Sequence, residues 1–183
     1  MKRTQKGFTV LEIVVSIALF TFVIILITAM YALAQRAYNK ASNRGELAQN
    51  ARVSLDRISR EIRQSVDIIT ILPEVHDDPE DPPAEEIFFQ DGHDINDITY
   101  LHYYLDGTNL MRSHVVYYFE EDPNTYVSWD SKDAIEDIIE NRVVGEYFNS
   151  MEFWGTDGLV NIDLILIKNQ NEFNISTSVF SRN

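Results

Sequence analysis

Glu12 is the residue most out of keeping with its neighbours. Phe8-Thr9-Val10-Leu11 precede it, and Ile13 to Gln35 follow, 23 residues without a charge. A carboxylate in such surroundings costs a few kcal/mol unless it reaches the headgroup level or meets a cation. The residues alone leave both solutions open. The other candidate groups for chemistry are sparse. His76, His93, His102 and His114 are the only histidines, and no pair has the helix spacing that puts two metal ligands on one face. His102 and His114 are expected as neighbours across a hairpin, where packing accounts for them. There is no glycine-rich phosphate loop and no Gly-x-Ser-x-Gly elbow. The absence of cysteine excludes disulfides, thiolate catalysis and cysteine-ligated metals. The expectation is a protein that is not an enzyme and holds no cofactor and no metal.

A second cluster is acidic. Glu74, Asp77, Asp78, Glu80, Asp81, Glu85 and Glu86 crowd around Pro73, Pro79, Pro82 and Pro83. Calcium wants several oxygen ligands, but in an ordered spacing that this run lacks. Asp91-Gly92-His93-Asp94-Ile95-Asn96-Asp97 fits no calcium-loop template either. Residues 67–97 are therefore expected as an acidic surface loop region, with residues 74–86 mobile and free of metal. The net charge is −14 and no basic patch is visible, so nucleic acid is not an expected partner.

These groups need elements to hold them. A helix over the uncharged run spans roughly 35 Å, enough to cross a hydrocarbon core of about 30 Å. A cleavable secretory signal normally has an apolar core of only about 7–15 residues, although Ala32 and Ala34 imitate its cleavage site. Lys2, Arg3 and Lys6 before the span balance Arg36, Lys40 and Arg44 after it, so only the terminal amine favours an N-inside orientation. Beyond the span, Leu47, Ala51, Leu55, Ile58, Ile62 and Val66 recur at helical spacing. Arg52, Asp56, Arg57, Arg60, Glu61 and Arg63 are placed on the other face. No proline occurs before Pro73, and one helix is expected from about Phe8 to about Ser65, the alternative being a membrane helix and a separate core helix joined by a loop at Asn43-Arg44-Gly45.

From Ile98 the period becomes two. Residues 98–105 and 110–119 read as a hairpin around Asp106-Gly107-Thr108-Asn109. A short helix is expected after Ser131, through Ala134-Ile135 and Ile138-Ile139. Tyr147 to Trp154 reads as a strand. Leu159–Lys168 and Glu172–Phe180 form a second hairpin, with Val160, Ile162, Leu164 and Leu166 on one face of its first strand. Phe173, Ile175, Thr177 and Val179 answer them on the second. Tyr100, Tyr103, Tyr104, Tyr117 and Tyr118 make the sheet aromatic. The expected fold class is α+β, a long helix packed on an antiparallel sheet.

Lys6-Gly7-Phe8-Thr9-Val10-Leu11-Glu12 followed by an apolar helix resembles the class III signal of type IV pilins and type II secretion pseudopilins. The resemblance implies a leader of residues 1–7, cut by prepilin peptidase between Gly7 and Phe8, and N-methylation of Phe8. It implies that Glu12 sets assembly register by meeting the Phe8 amine of a neighbouring subunit. It divides the chain into an assembly helix at 8–34, its amphipathic continuation at 35–66, the acidic loop region at 67–97 and a sheet head at 98–183. Arg57-Ile58-Ser59-Arg60-Glu61-Ile62-Arg63, Tyr104 to Arg112 and the closing Arg182-Asn183 are similar to minor subunits of the PilW and PulJ (J-type) kind. The implied partners are other pilin or pseudopilin subunits, prepilin peptidase, an inner-membrane assembly platform, and lipid through the N-terminal helix. The implied location is the inner membrane, with the leader in the cytoplasm and the head outside, and then a pilus or pseudopilus. The alternative reading is a single-pass membrane-anchored binding module whose acidic extracytoplasmic domain would bind calcium or another ligand.

Overall fold

The computed structural model describes residues 7, 9–93 and 97–182. Helix α1 runs Val10–Gln64, and nine strands follow. The chain divides into two compact units, Met1–Ser42 and Asn43–Asn183.

In the first unit the helix is apolar and solvent-facing along its described length. Phe20 and Leu33 are each 68% exposed, a degree of apolar exposure that water does not favour. This helix is long and apolar enough to cross a membrane. Three of its hydroxyls are satisfied within the helix. The hydroxyls of Ser16, Thr21 and Thr28 donate to the carbonyls of Glu12, Ile17 and Ile24, at 2.7, 2.8 and 3.0 Å. In lipid such bonds remove the cost of an unpaired hydroxyl.

In the second unit the end of α1 buries the expected stripe: Leu47, Ala51, Leu55, Ile58 and Ile62. Val66 lies past the helix and is exposed. Two antiparallel sheets receive the stripe. The first contains β1 (Asp67–Ile68), β2 (Ile87–Gln90), β3 (Tyr100–Asp106), β4 (Asn109–Phe119) and β5 (Asp122–Tyr126) in that order. Strand β6 (Ile135–Glu146) pairs with the other side of β4. The second sheet is β7 (Phe148–Trp154), β8 (Leu159–Lys168) and β9 (Asn171–Phe180). Val160, Ile162, Leu164, Leu166 and Val179 join the helix stripe in one core. The α+β expectation and both hairpins therefore hold. Gly107 has φ +62°, the left-handed conformation its two-residue turn requires. Gly145 is needed for a different reason. A Cβ there would sit 2.6 Å from both the Phe148 ring and Ser54 Oγ, so only glycine lets β6 pass this close to the helix.

Four expectations are corrected. Residues after Ser131 do not form a helix; Ile135–Glu146 is the long strand β6. Register shifts at Leu110/Met111 and His114/Val115 insert extra residues into it. The shift at His114/Val115 leaves Ile139 as an extra residue beside Ile138, which breaks the alternation and gives Ile135, Ile138 and Ile139 the spacing of three and four that imitated a helix. Residues 67–97 are not all surface loop. Ile87 and Phe89 of β2 are fully buried and belong to the core. His102 pairs with Ser113, and His114 with Leu101, so the two histidines lie on opposite faces. Glu61 is not on the solvent face; it is buried against the sheet.

Candidate functional site

At its start, α1 is closed by a reciprocal pair. The Thr9 amide donates to Glu12 Oε2 at 2.8 Å and its hydroxyl to the same oxygen at 3.0 Å. The Glu12 amide donates back to Thr9 Oγ1 at 3.2 Å. This is a capping box, and it satisfies backbone donors that a helix start leaves open. Thr-x-x-Glu is its signal in the sequence, a capping role beyond the snorkelling or ion pairing expected of Glu12. Glu12 Oε1 has no partner among the described residues, which leaves it able to accept from a cation supplied by another chain. Gly7 is exposed, with nothing within 4 Å of where a Cβ would stand. Phe8 and the leader residues Met1 to Lys6 lie outside the described residues, and so do Asp94 to Asn96.

The strongest electrostatic feature lies inside the second unit. Tyr103 Oη donates to Glu61 Oε2 at 2.6 Å. Arg112 Nε lies 3.2 and 3.1 Å from the two Glu61 oxygens. Arg112 Nη1 reaches Glu140 at 3.2 Å, and Arg142 closes the chain on the other Glu140 oxygen at 3.2 Å. The Glu61 and Arg112 side chains are 10% and 11% exposed. Burial, and then the Glu61 charge, push the Tyr103 hydroxyl far above its ordinary range. Burial opposes the Arg112 charge, but the bonds to Glu61 win and raise its pKa. His114, nearby, is held below its ordinary value by burial and then by the Arg112 charge. A charge pair inserted between helix and sheet fixes their register, because any slip would strand one member in the core.

The acidic loop is fastened to the fold near its two ends and at His76. The Ala84 and Phe153 backbones exchange bonds of 2.9 and 2.8 Å, and the Gly155 amide donates to Pro73 O at 2.8 Å. His76 pins the middle. Its Nδ1 lies 2.7 Å from Asp77, its Nε2 2.9 Å from Glu152 on β7, and its ring meets Trp154 edge-on at 4.5 Å. The bonds to Asp77 and then Glu152 raise the His76 pKa, against a smaller effect of burial. A raised folded pKa makes the pin strongest below the unfolded histidine value, about 6.5, and weakens it as pH rises through the folded one. Amide exchange across residues 74–83 is therefore expected to be slower at pH 6 than at pH 8, corrected for intrinsic rate. His76→Phe should remove that difference. An equal corrected rate at both pH values in the unsubstituted protein would dismiss the pin. Among the described residues, no group of three His, Asp or Glu is placed to hold a metal ion.

Comparison with known proteins adds one finding. The family described as the prokaryotic N-terminal methylation motif matches residues 2–28. No curated protein and no solved structure matches the chain. The motif, joined to the apolar helix, supports a type IV pilin-like protein anchored in a membrane. It implies processing by prepilin peptidase and assembly with other pilins.

Proposed function

We propose that this protein is a minor pilin or pseudopilin of the J-type, a structural subunit of a type IV pilus, a competence pilus or a type II secretion pseudopilus. One observation carries the reading: a basic leader, Gly7-Phe8 and Glu12 lead into a helix whose apolar side chains, as far as Ser42, are all solvent-facing. A helix of that kind needs lipid before assembly and other helices after it. Prepilin peptidase cuts between Gly7 and Phe8, the new Phe8 amine is methylated, and Glu12 receives the amine of a neighbour. Residues 8–34 are the assembly helix and 35–66 its amphipathic continuation. The head, held outside the inner membrane, contacts other subunits, and the assembly platform acts on the helix from the membrane side. Catalysis has no part in this role.

Processing tests the reading. Gly7 has open space around it, and a peptidase at the membrane face must approach this backbone closely. Gly7→Val should leave most of the protein as uncut precursor in cells that hold prepilin peptidase. Edman sequencing of the unsubstituted mature protein should begin at a methylated Phe8. A mature start beyond Ala32 would mean an ordinary signal peptide and would end the proposal.

A further inference from the structure

We propose that the outer edge of β9 accepts an extended acidic segment of another polypeptide as an added strand. The inference does not rest on the filament reading. Strand β9 is the last strand of its sheet, and its ten pairs with β8 run without a register shift. Asn169 and Gln170 both have positive φ, 48° and 65°, so the turn before β9 is the two-residue kind whose flanking pair is hydrogen-bonded. Alternation then sends the N–H and C=O groups of Asn174, Ser176 and Ser178 outward. They have no backbone partner among the described residues.

Free edges are normally protected by charge, bulges or proline. Strand β6, the other long edge, follows that rule: it carries Glu136, Asp137, Glu140, Arg142 and Glu146 and lies against two register shifts. From Phe173 to Phe180, β9 carries no charge, no glycine and no proline. One edge is guarded and the other is open, which is the pattern of an acceptor.

The chemistry of the donor follows from what lies beside that edge. Ile175 and Thr177 share a cleft of about 220 Å³ with Leu55, Arg52, Asp56 and Arg63 of α1. Residues 65–183 hold 25 acidic and five basic side chains, yet none of Arg52, Arg57, Arg60 and Arg63 takes part in an ion pair among the described residues. A strand added to β9 would turn alternate side chains toward Arg52 and Arg63. Carboxylates suit those positions. The opposite positions would extend the Asn174, Ser176 and Ser178 row and suit threonine or serine.

The test uses the full chain in detergent micelles and a fluorescent peptide of 10 residues, the length of β9, alternating Glu with Thr. A second peptide has Lys in place of Glu. The Glu peptide should bind and should slow amide exchange at Asn174, Ser176 and Ser178. Ser176→Pro removes one outward N–H and should weaken binding about tenfold or more, whereas Ser176→Thr should not. Arg52→Glu with Arg63→Glu should reverse the preference toward the Lys peptide. Should Ser176→Pro disturb the sheet, amide protection in the unsubstituted chain decides. No protection at those three amides, or equal binding of both peptides, would overturn the inference.

Discussion

Arg112→Ala is expected to destabilise the head by about 3–5 kcal/mol, because it leaves the Glu61 carboxylate buried without its cation. For a chain of this size that corresponds to a fall in melting temperature on the order of 10 °C. Glu61→Ala should cost a similar amount by stranding Arg112. Tyr103→Phe removes one bond to a charged acceptor and should cost about 1.5–3 kcal/mol. The double variant Glu61→Leu with Arg112→Met removes both charges and keeps apolar volume. It should recover much of the loss, since well-packed hydrophobic replacements of a buried pair are often neutral. Thermal and urea unfolding of the full chain in micelles, followed by near-ultraviolet dichroism, measures all four. A loss below about 1 kcal/mol for Arg112→Ala would place this pair with ordinary surface bridges and remove its role in fixing helix on sheet.

That pair shows where sequence reading stops. The apolar stripe of α1 is a local signal, and Leu47 to Ile62 are buried as their spacing predicts. The two hairpins are nearly local too, since a two-residue turn fixes the register of both arms. Glu61 lies on the flank of the same stripe, but its partner Arg112 is 51 residues away, and nothing in a charged residue's type announces a distant cation. Strand β6 failed for another reason: its two bulges break the alternation by which strands are recognised. Strand β2 is four residues long and follows a proline-rich acidic run, so Ile87 and Phe89 were too few to outweigh their surroundings. At the helix start the residues themselves were plain. The Thr9–Glu12 box was legible as spacing, and so was a carboxylate at the edge of an apolar run. What one chain cannot display is the cation of a second subunit.

Glu12 therefore has one observed role, a cap within its own chain, and one proposed role, a register point between chains, and three substitutions separate them. Thr9→Ala destroys the cap and keeps the charge. It should cost about 1 kcal/mol at the first turn. A helix of 55 residues absorbs that by fraying, so filament incorporation should hold. Glu12→Gln does the reverse, because glutamine serves the capping box as well as glutamate but brings no charge. If Glu12 only caps or snorkels, Glu12→Gln is silent and Glu12→Val is harmless to insertion. If it receives the Phe8 amine of a neighbour, Glu12→Gln leaves that ammonium unpaired in a low-dielectric bundle. The fraction of subunit in sheared or cross-linked filaments should then fall about tenfold, equivalent to ~1.4 kcal/mol per contact. Glu12→Val should fall at least as far, with cleavage and membrane insertion intact in the same samples. Normal incorporation of Glu12→Gln beside a defect in Thr9→Ala would assign Glu12 to capping alone. Assembly would then depend on apolar packing of the helix, where register is set by shape and not by charge.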